Sequence, residues 1–519
     1  MDEAKHECGI AAISIDSLNR HPAGGASYYL FKMLLQMQNR GQLAAGISTY
    51  YDKRREIMKK YVDLGTVNKA FRNQNKEGHI RLLNKFEGTK GIGHVRYATF
   101  GTDNLSLAQP FERTHGKINK WFSLAFNGNI TNFTELRKSL KQDGYHFSKN
   151  SDTEIIQHLF SMELDKDRTN DISKIFSAVV RKLDGAFNIV FLLADGTLAA
   201  FRDPHGFRPL VYGSITGVTA IASEPVALTN IGINVFHNLK PGHLLVVKGK
   251  KVTHKKILNN RQVSHCMFEW VYFANVASKI DNVSVYKTRW RLGINLARKE
   301  KLKLNDDFVV VPVPDTSKPI ADAYASALGI PSKEGLIRNR YVGRTFIESS
   351  DRKEKIRNKY TLNIPVLRGK KIILVDDSVV RGNTSKKLID YVKEAQVKEV
   401  HLRIACPPIF APCFYGIDMS TIGELIANQV RDKKDITKKP SEKETLKIIE
   451  SIRKEIGAKT LCYNSIDDLV YSLKKPKNKL CLACLNTDYP THHGKKLFKI
   501  AIKNMNKTKQ ERTYEFHLT

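Results

Sequence analysis

Long apolar runs and the cysteine spacing of a disulfide framework are both missing from this sequence of 519 residues. No stretch approaches the roughly 18–20 apolar residues of a membrane-spanning helix. The first residues, MDEAKHECGIAAISI, are acidic and contain only a short apolar run, which argues against a secretory signal. The seven cysteines are scattered and do not have the spacing of a disulfide framework. We therefore expect a cytoplasmic protein with no membrane-bound segment.

Acidic residues are also scarce, because 52 Asp and Glu stand against 85 Lys and Arg, which gives a formal net charge of +33. This excess favours anionic partners such as nucleic acid, a membrane surface or phosphorylated small molecules. The lysines are spread along the chain, and neither a basic motif interleaved with aromatic residues nor the spacing of a zinc finger is present. We interpret the charge as a basic solvated surface and expect no nucleic-acid partner.

The two halves of the chain differ in pattern. Up to about residue 255, short apolar segments such as SLAFNGNITN are separated by Gly, Asn and Asp, which is typical of an antiparallel core. From residue 263 to about 490, strand and helix patterns alternate, as in DFVVVPVP and KPIADAYASALGI, and predict a parallel sheet with crossover helices. Residues 491–519 are rich in lysine, have little apolar periodicity and are predicted to form a basic tail.

The segment KKIILVDDSVVRGNTSKK, residues 370–387, predicts a ligand site. Asp376 and Asp377 follow an apolar run that predicts a buried strand, and ligands bind at the carboxyl ends of such strands in open α/β sheets. The glycine-containing turn that follows leads into a predicted helix, whose first N–H groups and positive dipole end attract a phosphate. The segment therefore predicts a ligand that carries a phosphate and also a metal ion or sugar hydroxyls for the two carboxylates.

This segment, together with VPVPDTSKP and RNRYVGRTFI, resembles the motifs with which the type I phosphoribosyltransferases bind phosphoribosyl pyrophosphate (PRPP). The resemblance implies that Asp376 and Asp377 hold the ribose hydroxyls and, with Thr316, bind Mg²⁺. It also implies a closing loop at residues 338–347 and one departure, Asn383 in place of the usual Thr. The implied PRPP-binding residues are Asp315, Thr316, Ser317, Arg338, Arg340, Arg344, Asp376, Asp377, Ser378, Arg381, Gly382, Asn383, Thr384 and Ser385.

Cys8 is the candidate nucleophile of the first half. It begins the predicted strand CGIAAISI, directly after Glu7. A cysteine at a free N-terminus can use its own α-amine, with a pKa of roughly 8, as the base. This chemistry requires residues 1–7 to be a propeptide that is removed. Taken alone, a cysteine in an apolar strand is commonly just a small buried side chain.

The segments NRGQLAAGI, GIGHVRYATFGT, FNGNITN and SDTEII follow in order, and their succession resembles the glutaminase domain of the N-terminal-nucleophile amidotransferases. The resemblance implies that Arg96 binds the α-carboxylate of glutamine and that Asp152 binds its α-amine. It implies an oxyanion hole formed by Asn127 and Gly128. The residues implied to line the surroundings of the nucleophile are Arg40 and Gly41. Taken alone, Asn-Gly also suits a hairpin turn, and Ser-Asp-Thr-Glu suits a helix N-cap.

A glutaminase domain at residues 8–255 followed by a PRPP-binding domain at residues 263–490 resembles the glutamine PRPP amidotransferases of purine synthesis. The resemblance implies a multi-domain α/β fold, an αββα sandwich of the N-terminal-nucleophile hydrolases followed by the parallel sheet of a type I phosphoribosyltransferase. It implies conversion of PRPP, glutamine and water to 5-phospho-β-D-ribosylamine, glutamate and pyrophosphate, with ammonia passing internally. Inhibitory purine nucleotides and a homo-oligomer, expected to be a tetramer, are implied partners.

Two alternatives to this enzyme remain open. The first is a PRPP-sensing DNA-binding repressor, which the net charge would suit but which leaves the glutaminase motifs unexplained. The second is an enzyme that uses free ammonia alone. This alternative fails if glutamine supports turnover at a rate comparable with ammonia and if Cys8→Ala abolishes only the glutamine-dependent reaction.

The pair Cys481 and Cys484 has the Cys-x-x-Cys spacing that suits zinc or an iron–sulfur cluster, but two more ligands are needed. Cys266 and Cys413 match the positions that complete a [4Fe–4S] site in one branch of the amidotransferase family, a branch that also has a propeptide. The resemblance therefore implies a cluster that fixes the C-terminal segment, while zinc or no metal remains open. The cysteines predicted to be core thiols are Cys406 and Cys462.

Overall fold

The computed structural model describes residues 8–97, 104–167, 169, 171–258, 262–339, 352–419, 421–432, 435–436 and 438–505. Three predicted features lie outside these ranges. They are the propeptide at residues 1–7, most of the closing loop with Arg340 and Arg344, and residues 506–519 of the tail.

The first domain is built from antiparallel strands and helices. Its strands are β1 (Gly9–Ile15), β2 (Ala44–Tyr50), β3 (Met58–Leu64), β4 (Lys90–Arg96), β5 (Phe111–Arg113), β6 (Phe122–Ile130), β7 (Gly185–Leu193), β8 (Leu198–Phe201), β9 (Val211–Ile215), β10 (Val218–Ala222), β11 (Phe236–Asn238), β12 (His243–Lys248) and β13 (Lys251–Lys256). Its helices are α1 (Ala26–Gln36), α2 (Val67–Ala70), α3 (Lys76–Lys85), α4 (Phe133–Gln142), α5 (Asp152–Lys166), α6 (Ile172–Val180) and α7 (Pro225–Thr229).

These strands form two antiparallel sheets that pack face to face. One sheet has the order β11-β9-β10-β1-β4-β2-β3 and the other the order β13-β12-β8-β7-β6-β5. Because side chains alternate along a strand, β1 is divided between two cores. Ile10 and Ala12 lie in the core between the sheets, whereas Ala11 and Ile13 lie in the core that contains helix α1. Phe160 of α5 lies in a third core beneath the second sheet, which completes the predicted αββα sandwich.

The second domain is built from short strands and longer helices. Its strands are β14 (His265–Cys266), β15 (Lys279–Ile280), β16 (Val283–Ser284), β17 (Phe308–Pro312), β18 (Leu336–Arg338), β19 (Tyr360–Leu362), β20 (Lys371–Asp376), β21 (Glu399–Ile404), β22 (Leu461–Tyr463) and β23 (Leu480–Cys481). Its helices are α8 (Val285–Arg298), α9 (Lys318–Leu328), α10 (Arg352–Lys359), α11 (Ile364–Leu367), α12 (Asn383–Lys393), α13 (Ile426–Gln429), α14 (Glu442–Ile456), α15 (Ile466–Leu473), α16 (Ala483–Asn486) and α17 (His492–Lys503). None of the helices in the described part of the chain is long and apolar enough to cross a membrane.

Strands β17, β20, β21 and β22 form a parallel sheet in that order. Strand β20 is covered on both faces, as its continuous apolar run predicts, with Ile372 and Leu374 in one core and Ile373 and Val375 in another. The predicted parallel sheet with crossover helices is confirmed. Since the carboxyl ends of parallel strands meet at one edge, the residues that follow β17 and β20 are brought together there.

The predicted basic tail is partly wrong, because its first residues are folded. Thr491 caps helix α17 with its side chain, and Leu497, Phe498 and Ala501 of this helix are buried. These side chains join a core that contains residues of both domains, including Phe207 of the first. The apolar positions are few but fall on one face of the helix, so lysines occupy the remaining faces without preventing burial.

Candidate functional sites

Cys8 lies at the start of β1, beside the end of β4. The antiparallel register pairs Gly9 with Val95, so Cys8 and Arg96 are neighbours across the two strands. The Cys8 thiol donates a hydrogen bond to the carbonyl of Tyr97, with 3.7 Å between Sγ and O. Burial raises the pKa of this thiol, and the charge of Arg96 opposes the rise. The thiol is therefore protonated near neutral pH and needs a base before it can attack.

Strand β6 carries both residues predicted to form the oxyanion hole, and it packs against β1 and β4. The Asn127 side chain is 1% exposed, and its Nδ2 has no hydrogen-bond partner among the residues that the structure describes. A buried amide of this kind retains a donor for a ligand oxygen. Gly128 has a φ of +148°, and a Cβ there would lie 1.9 Å from the carbonyl oxygen of Ala186 on β7. Only glycine fits at this position.

Two further predicted glutamine-site residues are held against the same strands. Asp152 begins α5, and its Oδ2 accepts a hydrogen bond of 2.9 Å from the backbone N–H of Ile130 at the end of β6. Gly41 packs on the end of β4, where a Cβ would lie 2.6 Å from the carbonyl carbon of Arg96. Asp152 is thus adjacent to β6, which we call the oxyanion strand because it carries Asn127 and Gly128. Gly41 is adjacent to Arg96. Their contacts with glutamine stay predictions.

The guanidinium of Arg40 is fully buried in an ion-pair network, while the predicted place of this residue beside the nucleophile stays a prediction. Its Nε donates to Glu224 Oε1 and its Nη2 to Glu269 Oε2, both at 2.6 Å. Its aliphatic stem lies near the nucleophile's strand, since a Cβ on Gly9 would lie 3.3 Å from Arg40 Cδ. A guanidinium buried this deeply needs carboxylate partners, and here they stand 184 and 229 residues away in the chain. Arg40 therefore anchors the first domain to the second.

Glu224 and Glu269 were missed by the sequence interpretation, although they connect the domains. Glu224 Oε1 also accepts a hydrogen bond of 2.8 Å from Asn39 Nδ2. Glu224 Oε2 accepts from the backbone N–H of Asn275 at 2.8 Å and from the Ser278 hydroxyl at 2.7 Å. Glu224 therefore joins the NRGQ motif to the start of the second domain. No local pattern marks these acids, because their partners are distant in the chain.

The acid pair lies at the carboxyl end of β20, as predicted. The Asp377 N–H donates to Asp376 Oδ1 at 2.8 Å, and the Ser378 hydroxyl donates to Asp377 Oδ1 at 2.7 Å. Asp315 follows the neighbouring strand β17, and its Oδ2 accepts from Arg338 Nη1 at 2.7 Å. The edge therefore combines carboxylates for hydroxyls or a metal ion with a guanidinium for phosphate oxygens.

The predicted phosphate loop leads from β20 into the N-terminus of α12. Asn383, Thr384 and Ser385 form the first turn of this helix, and the N-terminus of a helix carries the positive end of the helix dipole, which attracts a phosphate. Gly382 immediately before the helix has a φ of +77°, and a Cβ there would lie 2.1 Å from Cδ1 of Ile426. Glycine is therefore required for the sharp entry into the helix.

Two predicted PRPP-binding side chains are engaged with the protein itself. Arg381 Nε donates to Glu424 Oε2 at 2.6 Å. The hydroxyl of Ser317 donates to the carbonyl of Val313 and so stabilises the turn after β17. Thr316, which lies between the exposed Asp315 and the buried Ser317 in the chain, is half-buried. These contacts show that the side chains of Arg381 and Ser317 support the shape of the two loops.

The four cysteines predicted to hold a cluster lie in one buried region. Cys266 and Cys481 are direct partners in the parallel pairing of β14 with β23. Cys484 lies in the same core as Cys266, and Cys413 packs against that core. Burial raises the pKa of the Cys266 thiol to about 11 and raises the pKa of the other three thiols as well. Cys406, predicted to be a core thiol, is also buried in this core.

A preformed metal site is absent, since no three His, Cys, Asp or Glu side chains in the described ranges are grouped closely enough to hold a metal ion. For Mg²⁺ this is expected, because proteins bind it with one or two carboxylates, water and substrate phosphates. For a cluster, the donor chemistry fits, because four soft thiols from three segments share one apolar region without a disulfide among them. Both cofactors stay predictions.

Comparison with known proteins identifies both domains. Residues 94–230 match the family model described as glutamine amidotransferase domain, and residues 291–408 match that of the phosphoribosyl transferase domain. The amidophosphoribosyltransferase of Methanothermobacter thermautotrophicus is 39% identical over 495 residues, which cover 94% of this chain and 95% of the relative.

Two solved structures are similar over nearly the full length of the chain. The structure described as the allosteric regulatory enzyme of purine biosynthesis has a TM-score of 0.80 and 33% identity, and the match covers 93% of this chain and 96% of that one. The PRPP amidotransferase from B. subtilis complexed with ADP and GMP has a TM-score of 0.78 and 32% identity, and the match covers 94% of this chain and 98% of that one.

Proposed function

Since the chain belongs to the amidophosphoribosyltransferase family, we propose that its two domains carry out the glutamine-dependent first step of purine synthesis as two half-reactions. In the first half-reaction, glutamine is hydrolysed to glutamate and ammonia. In the second, ammonia displaces pyrophosphate from PRPP and gives 5-phospho-β-D-ribosylamine. Ammonia passes between the two sites inside the protein.

The glutamine half-reaction uses Cys8 Sγ to attack the carboxamide carbon. The α-amine of Cys8, once residues 1–7 are removed, takes the thiol proton and passes it to the leaving ammonia. Asn127 Nδ2 and the Gly128 N–H stabilise the negative oxygen of the tetrahedral intermediate. A thioester forms as ammonia leaves, and water then releases glutamate. Arg96 and Asp152 bind the α-carboxylate and the α-amine of the substrate.

The PRPP half-reaction takes place at the carboxyl edge of the parallel sheet. Asp376 and Asp377 hold the ribose hydroxyls, and the N-terminus of α12 holds the 5′-phosphate. Arg338 binds the pyrophosphate group, which leaves as ammonia adds at C1 with inversion. Thr316, Asp376 and Asp377 are the residues that would hold Mg²⁺, which when bound would supply positive charge to offset the charge of the leaving group. The residues of the edge orient PRPP so that the ammonia approaches the face opposite pyrophosphate.

The four cysteines Cys266, Cys413, Cys481 and Cys484, of which Cys413 is half-buried and the others are buried, are proposed ligands of a [4Fe–4S] cluster. Two observations support this assignment: the register that pairs Cys266 with Cys481, and the packing of Cys413 and Cys484 into the same core. The cluster would join the segments around 266, 413 and 481–484 and so fix the C-terminal part of the chain. Iron and acid-labile sulfide in stoichiometric amounts in anaerobically purified protein would support it, and zinc alone would contradict it.

The observation that carries the proposed function is the Asn127 amide, a buried donor without a partner in the described structure, on a strand that packs against the strand of Cys8. The experiment is to measure product formation with glutamine and with ammonium, in wild type and Cys8→Ala. Cys8→Ala should lose the glutamine-dependent rate and keep the ammonia-dependent rate. Cys462→Ala, which removes a half-buried thiol outside both sites, is the control.

Intact-mass measurement tests the proposed propeptide independently of turnover. The active protein should begin at Cys8, because only then is the α-amine free to act as the base. An active protein that begins at Met1 or Asp2 would show that another group takes the proton. Equal loss of both rates in Cys8→Ala would instead remove the assignment of Cys8 to glutamine hydrolysis.

Inhibition by purine nucleotides and assembly into a homo-oligomer complete the proposal. The nucleotide proposal is supported by the phosphate-binding features of the PRPP edge and by the ADP and GMP named for the B. subtilis relative. Competition between a purine nucleotide and PRPP in initial-rate measurements would test it. Light scattering of the purified protein would test the predicted tetramer, with a monomeric mass as the contradicting result.

A further inference from the structure

The segment at residues 413–416, which begins with a cysteine of the proposed cluster, contacts the oxyanion strand of the first domain directly. Asn129, two residues after Asn127 in the chain, donates from Nδ2 to the carbonyl of Phe414 at 3.0 Å. Arg208 donates from Nη2 to the carbonyl of Tyr415 at 2.5 Å. Both contacts cross the domain boundary, over 285 and 207 residues of chain. The glutamine site therefore touches the cysteine region.

Gly128 of the oxyanion hole is enclosed from two sides. On one side is Ala186 of β7, whose carbonyl oxygen leaves no room for a Cβ. On the other side is Gly416, where a Cβ would lie 3.4 Å from the carbonyl carbon of Gly128. Gly416 has a φ of +103°, a conformation that glycine adopts without strain. The position of Gly128 thus depends on a residue of the second domain as well as on its own sheet.

The segment is also tied to the cysteines. The backbone N–H of Tyr415 donates to Cys413 Sγ at 3.3 Å, and the N–H of Cys413 donates to the carbonyl of Met419 at 2.7 Å. The Tyr415 ring stacks on Phe207, with 4.3 Å between ring centroids, and the Phe207 carbonyl accepts from the N–H of Cys266 at 3.1 Å. A change in the arrangement of Cys413 therefore moves groups that contact β6.

We propose that residues 413–416 form the support of the oxyanion hole, and that Asn129 and Gly416 are positioning residues that tie Gly128 to the cysteine site. Neither residue touches glutamine. They act by holding the Asn127–Gly128 peptide in place, so that the donors meet the oxyanion in the transition state. This inference rests on the proposed function, because it assumes that Asn127 and Gly128 stabilise that oxyanion. It also gives the cysteine site a structural role, which is to hold the residues of the second domain that support Gly128.

A displacement of the oxyanion donors should affect the chemical step more than substrate binding. A misplacement of about 1 Å can lower a rate by roughly 100-fold. Loss of the Asn129 side chain removes one of the contacts that hold the strand, so we expect the glutamine-dependent kcat to fall by about 10- to 100-fold. The KM for glutamine should stay within about twofold, since Arg96 and Asp152 are unchanged.

The test compares Asn129→Ala with Asn132→Ala. Asn132 follows three residues later, and its Nδ2 donates to the carbonyl of Lys182 within the first domain, at 2.8 Å. Only Asn129→Ala should lower the glutamine-dependent kcat while the ammonia-dependent rate and the alkylation of Cys8 by iodoacetamide stay as in wild type. Asn129→Asp, which keeps the shape but places a carboxylate against the Phe414 carbonyl, should have the same effect and serves if the alanine variant does not fold.

A second measurement does not depend on turnover. The hydrogen bond between Asn129 and Phe414 stabilises residues 413–416 as well as β6, because coupling between two sites is reciprocal. Asn129→Ala should therefore lose iron to a chelator such as bathophenanthroline sooner than wild type and Asn132→Ala. Equal iron loss together with an unchanged glutamine-dependent kcat would overturn the inference, as would a parallel loss of the ammonia-dependent rate. Wild-type protein without iron would overturn the proposed cluster and this inference with it. Wild-type protein without glutamine-dependent activity would overturn the proposed function itself.

Discussion

Replacement of Asn127 by alanine should separate two properties that usually change together, the rate of catalysis and the stability of the fold. The Nδ2 atom is buried and has no partner in the described part of the chain. A buried donor without a hydrogen-bond partner lowers the stability of the free enzyme by about 1–3 kcal/mol. The donor forms its hydrogen bond only when an oxyanion develops beside it. Its removal should therefore weaken catalysis without weakening the fold.

The expected magnitude follows from the two roles of the amide. One oxyanion-hole donor contributes about 2.7–4 kcal/mol, or roughly 100- to 1000-fold in kcat. Asn127→Ala should lower the glutamine-dependent kcat by this factor and leave the KM for glutamine within about twofold, because the contact exists mainly in the transition state. The free energy of unfolding should change by less than about 1 kcal/mol, since the lost packing and the removed unsatisfied donor oppose each other.

The assay is pyrophosphate release from PRPP with glutamine or with saturating ammonium, with thermal unfolding in parallel. Asn188→Ala is the matched control, because Asn188 pairs with Asn127 across β6 and β7 and its buried Nδ2 donates to the carbonyl of Pro209 at 2.9 Å. This control should lower the free energy of unfolding by about 1–3 kcal/mol. A loss of less than about tenfold in the glutamine-dependent kcat of Asn127→Ala, or an equal loss with ammonium, would refute the oxyanion assignment.

Three further predictions concern pH, the acid pair and the contact between the domains. Burial lowers the pKa of His94 to about 3, so below about pH 6.5 the unfolded chain binds a proton here that the folded chain does not. As the pH is lowered from about 7.5 to about 5, protonation of His94 in the unfolded chain should lower the free energy of unfolding by ~2 kcal/mol in urea titrations. His94→Gln should remove this pH dependence. Asp377→Asn should lower pyrophosphate release about 10- to 100-fold with either nitrogen donor, because it loses a charged hydrogen bond to ribose; a loss with glutamine alone would contradict this. Arg40→Met leaves Glu224 and Glu269 buried without their shared cation. It should therefore lower the free energy of unfolding by about 3–5 kcal/mol in urea. A change below about 1 kcal/mol would show that the ion pair is not needed for stability.

The features that could be predicted from sequence are local ones. The acid pair, the glycine turn and the first turn of α12 are contiguous, so their order in the chain is their order in space. Cys8, the Asn127–Gly128 pair and Arg96 belong to separate segments, but each lies in or beside a strand that its apolar pattern and its glycines mark. Contacts with distant partners could not be predicted from the sequence. Arg40 and Arg381 are each held by a glutamate elsewhere in the chain, and their predicted roles at the two ligand sites stay predictions.

The layers of the fold and the chemistry available at each site follow from local sequence patterns, because side-chain alternation, continuous apolar runs and the conformational demands of glycine act over a few residues. Which charges are buried together, and which loops support each other, depends on the packing of distant segments. Glu224 receives donors from both domains, and Gly416 closes against Gly128 across the domain boundary. Burial makes an unpaired charge or a lost contact costly, and burial is a property of the packed chain.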